Sequence, residues 1–212
     1  MRSDRPPTSP DTARPGRIIL INGTSSSGKT SLVRALQDLL PDPWLEIGID
    51  RFVIALPRRY LNQPHWSEVF RYVRPDGSTE GPFTIETGPL GQRLVSGMHR
   101  TAAALAAVGV DVVVDHVLLE RAWLDECRRL WASFPVLFVG VRCPLDVVLR
   151  RERERRDRTI GQAAAQIDVV HRWGGYDLEV DTSRSSPDEA AAAVGAAIAA
   201  GFPDVGFGRL EA

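Results

Sequence analysis

From Arg17 onward the chain alternates short continuous apolar runs with longer stretches whose apolar residues recur every three or four positions. The first pattern predicts buried strands and the second amphipathic helices. Ile18 to Ile21 is the first such strand. It leads through a glycine-bounded loop into a helix over Thr30 to Leu40, which Pro41 and Pro43 stop. Trp44 to Ile49 predicts a second strand that ends in "GID", followed by a short amphipathic segment from Arg51 to Leu56. A long helix is predicted over Glu86 to Val108. After it, "VDVVVDHV" reads as a buried parallel strand, continuously apolar until Asp115 breaks it at its carboxyl end. "RAWLDECRRLWA" reads as helix and "PVLFVGVR" as another buried strand. Helix is predicted through the arginine run to about Gln166, then a short strand over Asp177 to Asp181. The last helix carries its own start signal: Ser186 as cap, Pro187 at the first helical position and Glu189 at the capping-box position. Only Pro57 to Thr84 breaks the rhythm, and long irregular stretches inside a domain are more often functional than idle.

Strands separated by helices imply an α/β fold: a parallel sheet with right-handed crossovers and helices on both faces. Ligands of such a sheet bind at the carboxyl ends of its strands. A length of 212 residues suits one domain, here residues 17–202 with an attached lid near 150–166. Residues 1–16, rich in Pro, Ser, Thr and Arg without an apolar core, read as a disordered N-terminal tail, and residues 203–212 as a C-terminal tail. The formal net charge of −1 gives no general attraction for nucleic acid or an acidic membrane, so any anion must be bound locally. The Ala-rich stretch Ala190 to Ala200 is too short to span a bilayer. Cys127 and Cys143 read as core thiols of a reducing compartment, and a cytoplasmic location is expected. His65, His99, His116 and His171 lie far apart without ligand spacing and read as structural or surface residues.

The local anion site is visible in "INGTSSSGKTS", which contains the only lysine of the chain; the other 25 basic residues are arginines. Gly23, Gly28, Lys29 and Thr30 fit G-x-x-x-x-G-K-[ST] between a strand and a helix, the context in which that motif cradles phosphates. The expected nucleotide-binding set is Gly23, Thr24, Ser25, Ser26, Ser27, Gly28, Lys29, Thr30 and Ser31. The serines read as small residues that admit the phosphates. Backbone N–H groups and the helix N-terminus supply the cradle. Lys29 supplies a compact charge that an arginine fork would not match in shape, and Thr30 offers a hydroxyl to Mg²⁺. With one lysine there is no N-K-x-D stretch, which disfavours a guanine-reading GTPase.

Asp50 and Asp115 close two strands and should project near this loop. A buried strand-end carboxylate needs a cation, a hydrogen bond or water. Asp115 is expected either to serve the metal or to cap a helix; Asp50 is expected to be a general base for an alcohol, a helix N-cap, or both. "RRERERRDR", Arg150 to Arg158, holds six arginines against three acids, with Arg151, Arg155 and Arg158 on one face of a helix. Either this is a solvated, salt-bridged helix, or it is a lid that brings guanidinium groups onto a transferring phosphoryl group.

Taken together, "NGTSSSGKTSLVRALQ", "PDPWLEIGID", "VVVDHVLL", "VGVRCPLDVVLRRERERRDRTIGQAAAQ" and "YDLEVDTS" resemble the chloramphenicol phosphotransferase family, P-loop kinases akin in fold to shikimate and adenylate kinases. The resemblance implies transfer of the γ-phosphoryl group of ATP, with Mg²⁺, to a hydroxyl of a small molecule such as an antibiotic. It also implies Asp50 as general base and lid roles for Arg151, Arg155 and Arg158. In the family the strand matching "VVVDHV" often ends in two adjacent acids, whereas here Asp115 is followed by His116. The acceptor is expected against Pro57 to Thr84, with Trp66, Phe70, Tyr72 and Phe83 as an apolar wall. A kinase of a nucleoside or polar metabolite, and a non-catalytic nucleotide-binding module, are the competing readings.

Overall fold

A computed structural model describes residues 14–74, 82–155, 160–202 and 207. The elements follow in the order β1 (Ile18–Asn22), α1 (Lys29–Leu39), β2 (Trp44–Gly48), α2 (Ile49–Ile54), β3 (Phe70–Val73), β4 (Thr84–Thr87), α3 (Pro89–Ala107), β5 (Asp111–His116), α4 (Arg121–Trp131), β6 (Val136–Arg142), α5 (Leu145–Glu154), α6 (Gln162–Ile167), β7 (Leu178–Asp181) and α7 (Pro187–Ala199). Five of the strands form one sheet in the order β2-β5-β1-β6-β7, parallel throughout, and β3 pairs antiparallel with β4 in a separate hairpin.

The two-residue period of the strands divides the core. Ile18 and Leu20 face one way with Val112, Val114 and Phe138, and α3 and α4 cover them with Met98, Ala102, Leu124 and Trp131. Ile19 and Ile21 face the other way with Val113, Leu137 and Val139, under Leu32 and Leu36 of α1 and Ala190 and Val194 of α7. Both faces are therefore dry, which is why the strands read as unbroken apolar runs. Register decides what meets at the rim. Asp115 pairs with Ile21 on one side and with Gly48 on the other, so the carboxyl ends of β1, β2 and β5 lie abreast.

At the opposite end of β5 the buried Asp111 fastens the start of the domain, accepting from Arg14 at 2.8 and 3.0 Å and from the Arg17 backbone N–H at 2.7 Å. Burial alone would raise that carboxyl, but the hydrogen bonds from Arg14 and Arg17 outweigh it and hold it well below the usual carboxylate range. Near the other terminus Phe207 stacks on Trp131 at 5.8 Å. Cys127 and Cys143 are both buried and unpaired by disulfide. The capping box of α7 forms, with Ser186 N–H donating to Glu189 at 2.8 Å and Glu189 N–H to the Ser186 hydroxyl at 3.3 Å.

Two expected elements differ. The helix predicted from Glu86 begins only at Pro89, because Thr84–Thr87, β-branched at every position but Glu86, pairs with Phe70–Val73. Pro57 to Thr84 therefore contributes half a hairpin. The single helix predicted through the arginine run is interrupted as well. α5 ends at Glu154, Arg155 is extended (φ −86°, ψ 128°), and α6 starts anew after Gly161 at φ 93°. The break is held by Glu152, fully buried, whose carboxylate accepts the N–H groups of Gly161 and Ala163 at 2.8 Å each. Arg151 and Arg155 consequently do not share a helical face, and Arg158 lies outside the described residues.

Candidate active site

The loop from Asn22 to Lys29 wraps back over the end of β1, and two glycines make the wrap possible. Gly28 is left-handed at φ 94°, and a Cβ at Gly23 would approach the Val141 carbonyl to 2.7 Å. Lys29 opens α1 and is nearly buried, its ammonium donating to the carbonyls of Gly23 and Thr24 at 2.9 and 2.8 Å and lying 3.7 Å from Asp115. The hydroxyls of Thr24, Ser25, Ser26 and Ser27 are all buried without a hydrogen-bond partner among the described residues. Four such groups in a row have no structural reason to be left unsatisfied unless a polar ligand belongs there. Anionic phosphate oxygens, which accept from hydroxyls, backbone N–H groups and an ammonium, fit this loop.

Asp115 reaches the loop from β5 and accepts the Thr30 hydroxyl at 3.4 Å. The helix α4 is capped by Glu120, not by Asp115, so the helix-cap role expected as one alternative is excluded. Asp50 sits in the first turn of α2, whose cap residue is Gly48, so it is not an N-cap either; its carboxylate is exposed on the wall of the same cleft. Thr30 and Asp115 together present two oxygens of the hard type that suits Mg²⁺.

One cleft of about 640 Å³ joins these groups. On its nucleotide side lie Ser25, Ser26, Gly28, Lys29, Thr30 and Ser31, with Arg151 and Arg155 from the arginine run and Thr182 and Ser185 beyond β7. Arg151 is held in place, donating to the Thr182 carbonyl at 2.8 Å. Thr182 in turn donates to the Ser27 carbonyl at 2.6 Å, so the end of β7, α5 and the phosphate loop form one connected unit. Sequence reasoning missed Gln166. It is buried at 3% exposure and its carbonyl accepts the Ser25 N–H at 2.6 Å. The available signal was the i, i+4 spacing of Gln162 and Gln166 on an otherwise alanine face, since both border the cleft.

The opposite side of the cleft is apolar: Ile49 and Ile54, Phe70 and Ile85 of the hairpin, Val95, and Leu119 with Trp123. Of the four aromatics expected to form this wall, only Phe70 reaches it. Trp66 packs behind it at 5.6 Å, and Tyr72 pairs with the buried Phe83 at 4.9 Å. Phe83 packs instead against Gly161, where an added Cβ would meet its ring at 3.0 Å. At the floor His116, expected as a structural or surface residue, meets His99 with 2.9 Å between their Nε2 atoms, and His99 Nδ1 lies 2.8 Å from Glu126. Alternation along β5 turns His116 away from Asp115 and toward α3 and α4. Burial and the neighbouring His99 push His116 well below its ordinary value, so the ring is neutral near pH 7. Burial also lowers His99, although Glu126 pulls the other way.

A family model described as chloramphenicol phosphotransferase-like protein matches residues 16–199. The chain belongs to that family. A Mycobacterium tuberculosis (strain H37Rv) protein provisionally named an O-phosphotransferase is 36% identical over 180 residues, covering 83% of this chain and 79% of that protein. Among solved structures, the Mycobacterium tuberculosis APS kinase CysC in complex with AMPPNP and APS aligns with a TM-score of 0.62 at 17% identity, over 88% of this chain and 99% of that one. A gluconokinase from Sinorhizobium meliloti aligns at 0.57 and 17% identity, over 89% and 95%. The fold is that of the P-loop kinases, as the sequence resemblance implied, and the family is one of phosphotransferases. Among the described residues no helix is long and apolar enough to cross a membrane.

Proposed function

We propose that this chloramphenicol phosphotransferase-like protein transfers the γ-phosphoryl group of ATP to a hydroxyl of a small, uncharged and largely apolar molecule, a chloramphenicol-like antibiotic or related natural product. The observation that carries the reading is the polarity of one cleft: unsatisfied donors and cations on one side, a hydrocarbon and aromatic wall on the other, and Asp50 on its lining. Arg51 also lines the cleft beside Ile49 and Ile54, but it is paired with Glu46 at 2.8 Å, which disfavours a highly anionic acceptor.

The phosphate loop and Lys29 would bind the β- and γ-phosphates, and Arg151 and Arg155 would offset charge that develops on the transferring group. Thr30 and Asp115 are the residues that would hold Mg²⁺, directly or through water; when bound, the ion supplies positive charge at the phosphates. Asp50 acts as general base. Its carboxylate takes the hydroxyl proton as the acceptor oxygen bonds to phosphorus, the bond from phosphorus to the bridging oxygen breaks, and ADP leaves. Incubation of the full chain with ATP, Mg²⁺ and a panel of apolar and polar alcohols, followed by mass spectrometry, tests the reading. A phosphorylated product is expected from apolar alcohols. Turnover confined to sugars or nucleosides would replace the acceptor class, and nucleotide binding without any acceptor-dependent turnover would make the protein a binding module.

A further inference from the structure

Gln166 reaches the phosphate loop from α6, beyond the arginine run, and its geometry is overdetermined. α6, which carries it, is fixed at its start by the Glu152 carboxylate. Ala163 of the same helix packs on Val148 and Cys143. Just beyond its end, Asn22, the residue before the loop, donates to the Val170 carbonyl at 2.7 Å. Gln166 is thus aimed at the loop from a base tied to both α5 and β1.

The peptide it meets is the one that also holds the lysine. The Thr24 carbonyl accepts Lys29 Nζ at 2.8 Å, and the N–H of the same peptide, belonging to Ser25, donates to Gln166 Oε1 at 2.6 Å. A backbone N–H must be met by an acceptor, so the carboxamide is oriented with its oxygen on Ser25. Its Nε2 group is then directed elsewhere. None of the described residues takes an Nε2 hydrogen, and Gln166 borders the cleft together with Ser25, Ser26 and Lys29. A carboxamide with one end locked and two N–H donors left over, at the rim of a loop built for anions, is a phosphate contact.

We infer that Gln166 is a nucleotide-contacting residue: its oxygen fixes the Ser25 amide of the phosphate loop, and its Nε2 donates to the terminal phosphoryl group of a bound nucleoside triphosphate. The inference rests on the nucleotide half of the proposed function and extends it to a group outside the phosphate-loop motif and the arginine run. A terminal-phosphate contact distinguishes ATP from ADP, whereas a part that merely supports the loop affects both alike.

The experiment measures the affinity of the full chain for a non-hydrolysable ATP analogue and for ADP, each with Mg²⁺, in wild type, Gln166→Met and Gln166→Glu. Gln166→Glu retains an oxygen for Ser25 but loses the donor and adds a negative charge; Gln166→Met loses both contacts at similar size. Gln166→Glu is expected to bind the triphosphate analogue roughly 10- to 100-fold more weakly, the range for one hydrogen bond to a charged group, with ADP affinity within about twofold of wild type; Gln166→Met, which also frees the Ser25 amide, should weaken both nucleotides but the triphosphate by more. Gln166→Glu should lose more than Gln166→Met. If Gln166→Met does not fold, Gln166→Glu decides alone. An unchanged preference for triphosphate over diphosphate, or equal weakening of both, overturns the inference while leaving the kinase reading intact. A wild-type protein that binds neither nucleotide overturns both.

Discussion

The two halves of the cleft are built in different ways. The phosphate half comes from nine consecutive residues, Gly23 to Ser31, whose contribution is mostly backbone and hydroxyl, braced by Thr182 and Gln166. The half proposed for the acceptor is made of side chains from α2, the β3–β4 hairpin, α3, the turn after β5 and α4. A backbone cradle is fixed by loop conformation and tolerates little change, whereas a wall of side chains can be altered one residue at a time without disturbing the sheet. On the proposed function the molecule separates the chemistry common to phosphoryl transfer from the recognition of a particular acceptor, with Asp50 on the lining of the cleft they share.

The sharpest way to break this division is at Asp50. Asp50→Asn is expected to lower phosphoryl transfer by roughly 10²–10⁴-fold, the usual contribution of a general base, while ATP affinity and folding stay unchanged. Turnover and nucleotide binding measured on the same preparation check it. A large loss of ATP affinity would move Asp50 into the phosphate half.

Next comes Lys29. Lys29→Arg keeps the charge but must place a planar fork where the ammonium now fits between the Gly23 and Thr24 carbonyls. Transfer should fall roughly 10²–10³-fold, as for the loss of one preorganised electrostatic donor. Here ATP affinity should weaken together with rate, in contrast to Asp50→Asn. Near-normal kinetics in Lys29→Arg would show that charge, not shape, sets the site.

The same division explains what could be read from the chain. The strand and helix order and the phosphate loop are local patterns, each decided within about ten residues by periodicity or motif, and the structure contains them. The hairpin is not local. Phe70–Val73 and Thr84–Thr87 are four residues each, with little alternation to detect, and their pairing crosses a stretch longer than a tight hairpin loop, although it holds the turn signal Pro75-Asp76-Gly77. Helix propensity in the arginine run is high, and what ends α5 is tertiary: Glu152 is drawn inward to cap α6. The pairing of His99 with His116 joins α3 to β5, and no spacing rule connects them. Gln166 carried only the weak cue of its spacing from Gln162.

The acceptor half is sharpened by Phe70, the aromatic that the hairpin does deliver to the cleft. Phe70→Ala removes apolar contact worth roughly 1.5–3 kcal/mol if the acceptor covers the ring, or about 10- to 100-fold in kcat/KM for an apolar alcohol. ATP affinity should not change. Equal kinetics with apolar and polar acceptors in both wild type and variant would remove the ring from recognition.

The smallest effect concerns charge on the acceptor side, where the cleft floor is kept neutral while the phosphate side is cationic. His116 is fully buried beside His99, its Nδ1 unpaired among the described residues, with the Lys29 charge nearby and Trp123 against its face. Its folded-state value is depressed, so in the unfolded chain it takes up a proton at about pH 6.5 while the folded protein refuses one. The unfolded state then binds more protons, and stability falls as pH drops below about 6.5, at up to about 1.4 kcal/mol per pH unit for one such group. His171, lowered to about 4 chiefly by burial, adds to the same decline, and so does His99. In His116→Gln the amide, which reaches as far as the ring Nε2, can still donate to His99 but cannot titrate. Denaturant unfolding at pH 7, 6 and 5 should show a shallower loss of stability in His116→Gln than in wild type, with the other histidines leaving a residual slope. Equal slopes would mean that the His116 ring accepts a proton in the folded protein, and the floor of the acceptor half would then carry charge of its own.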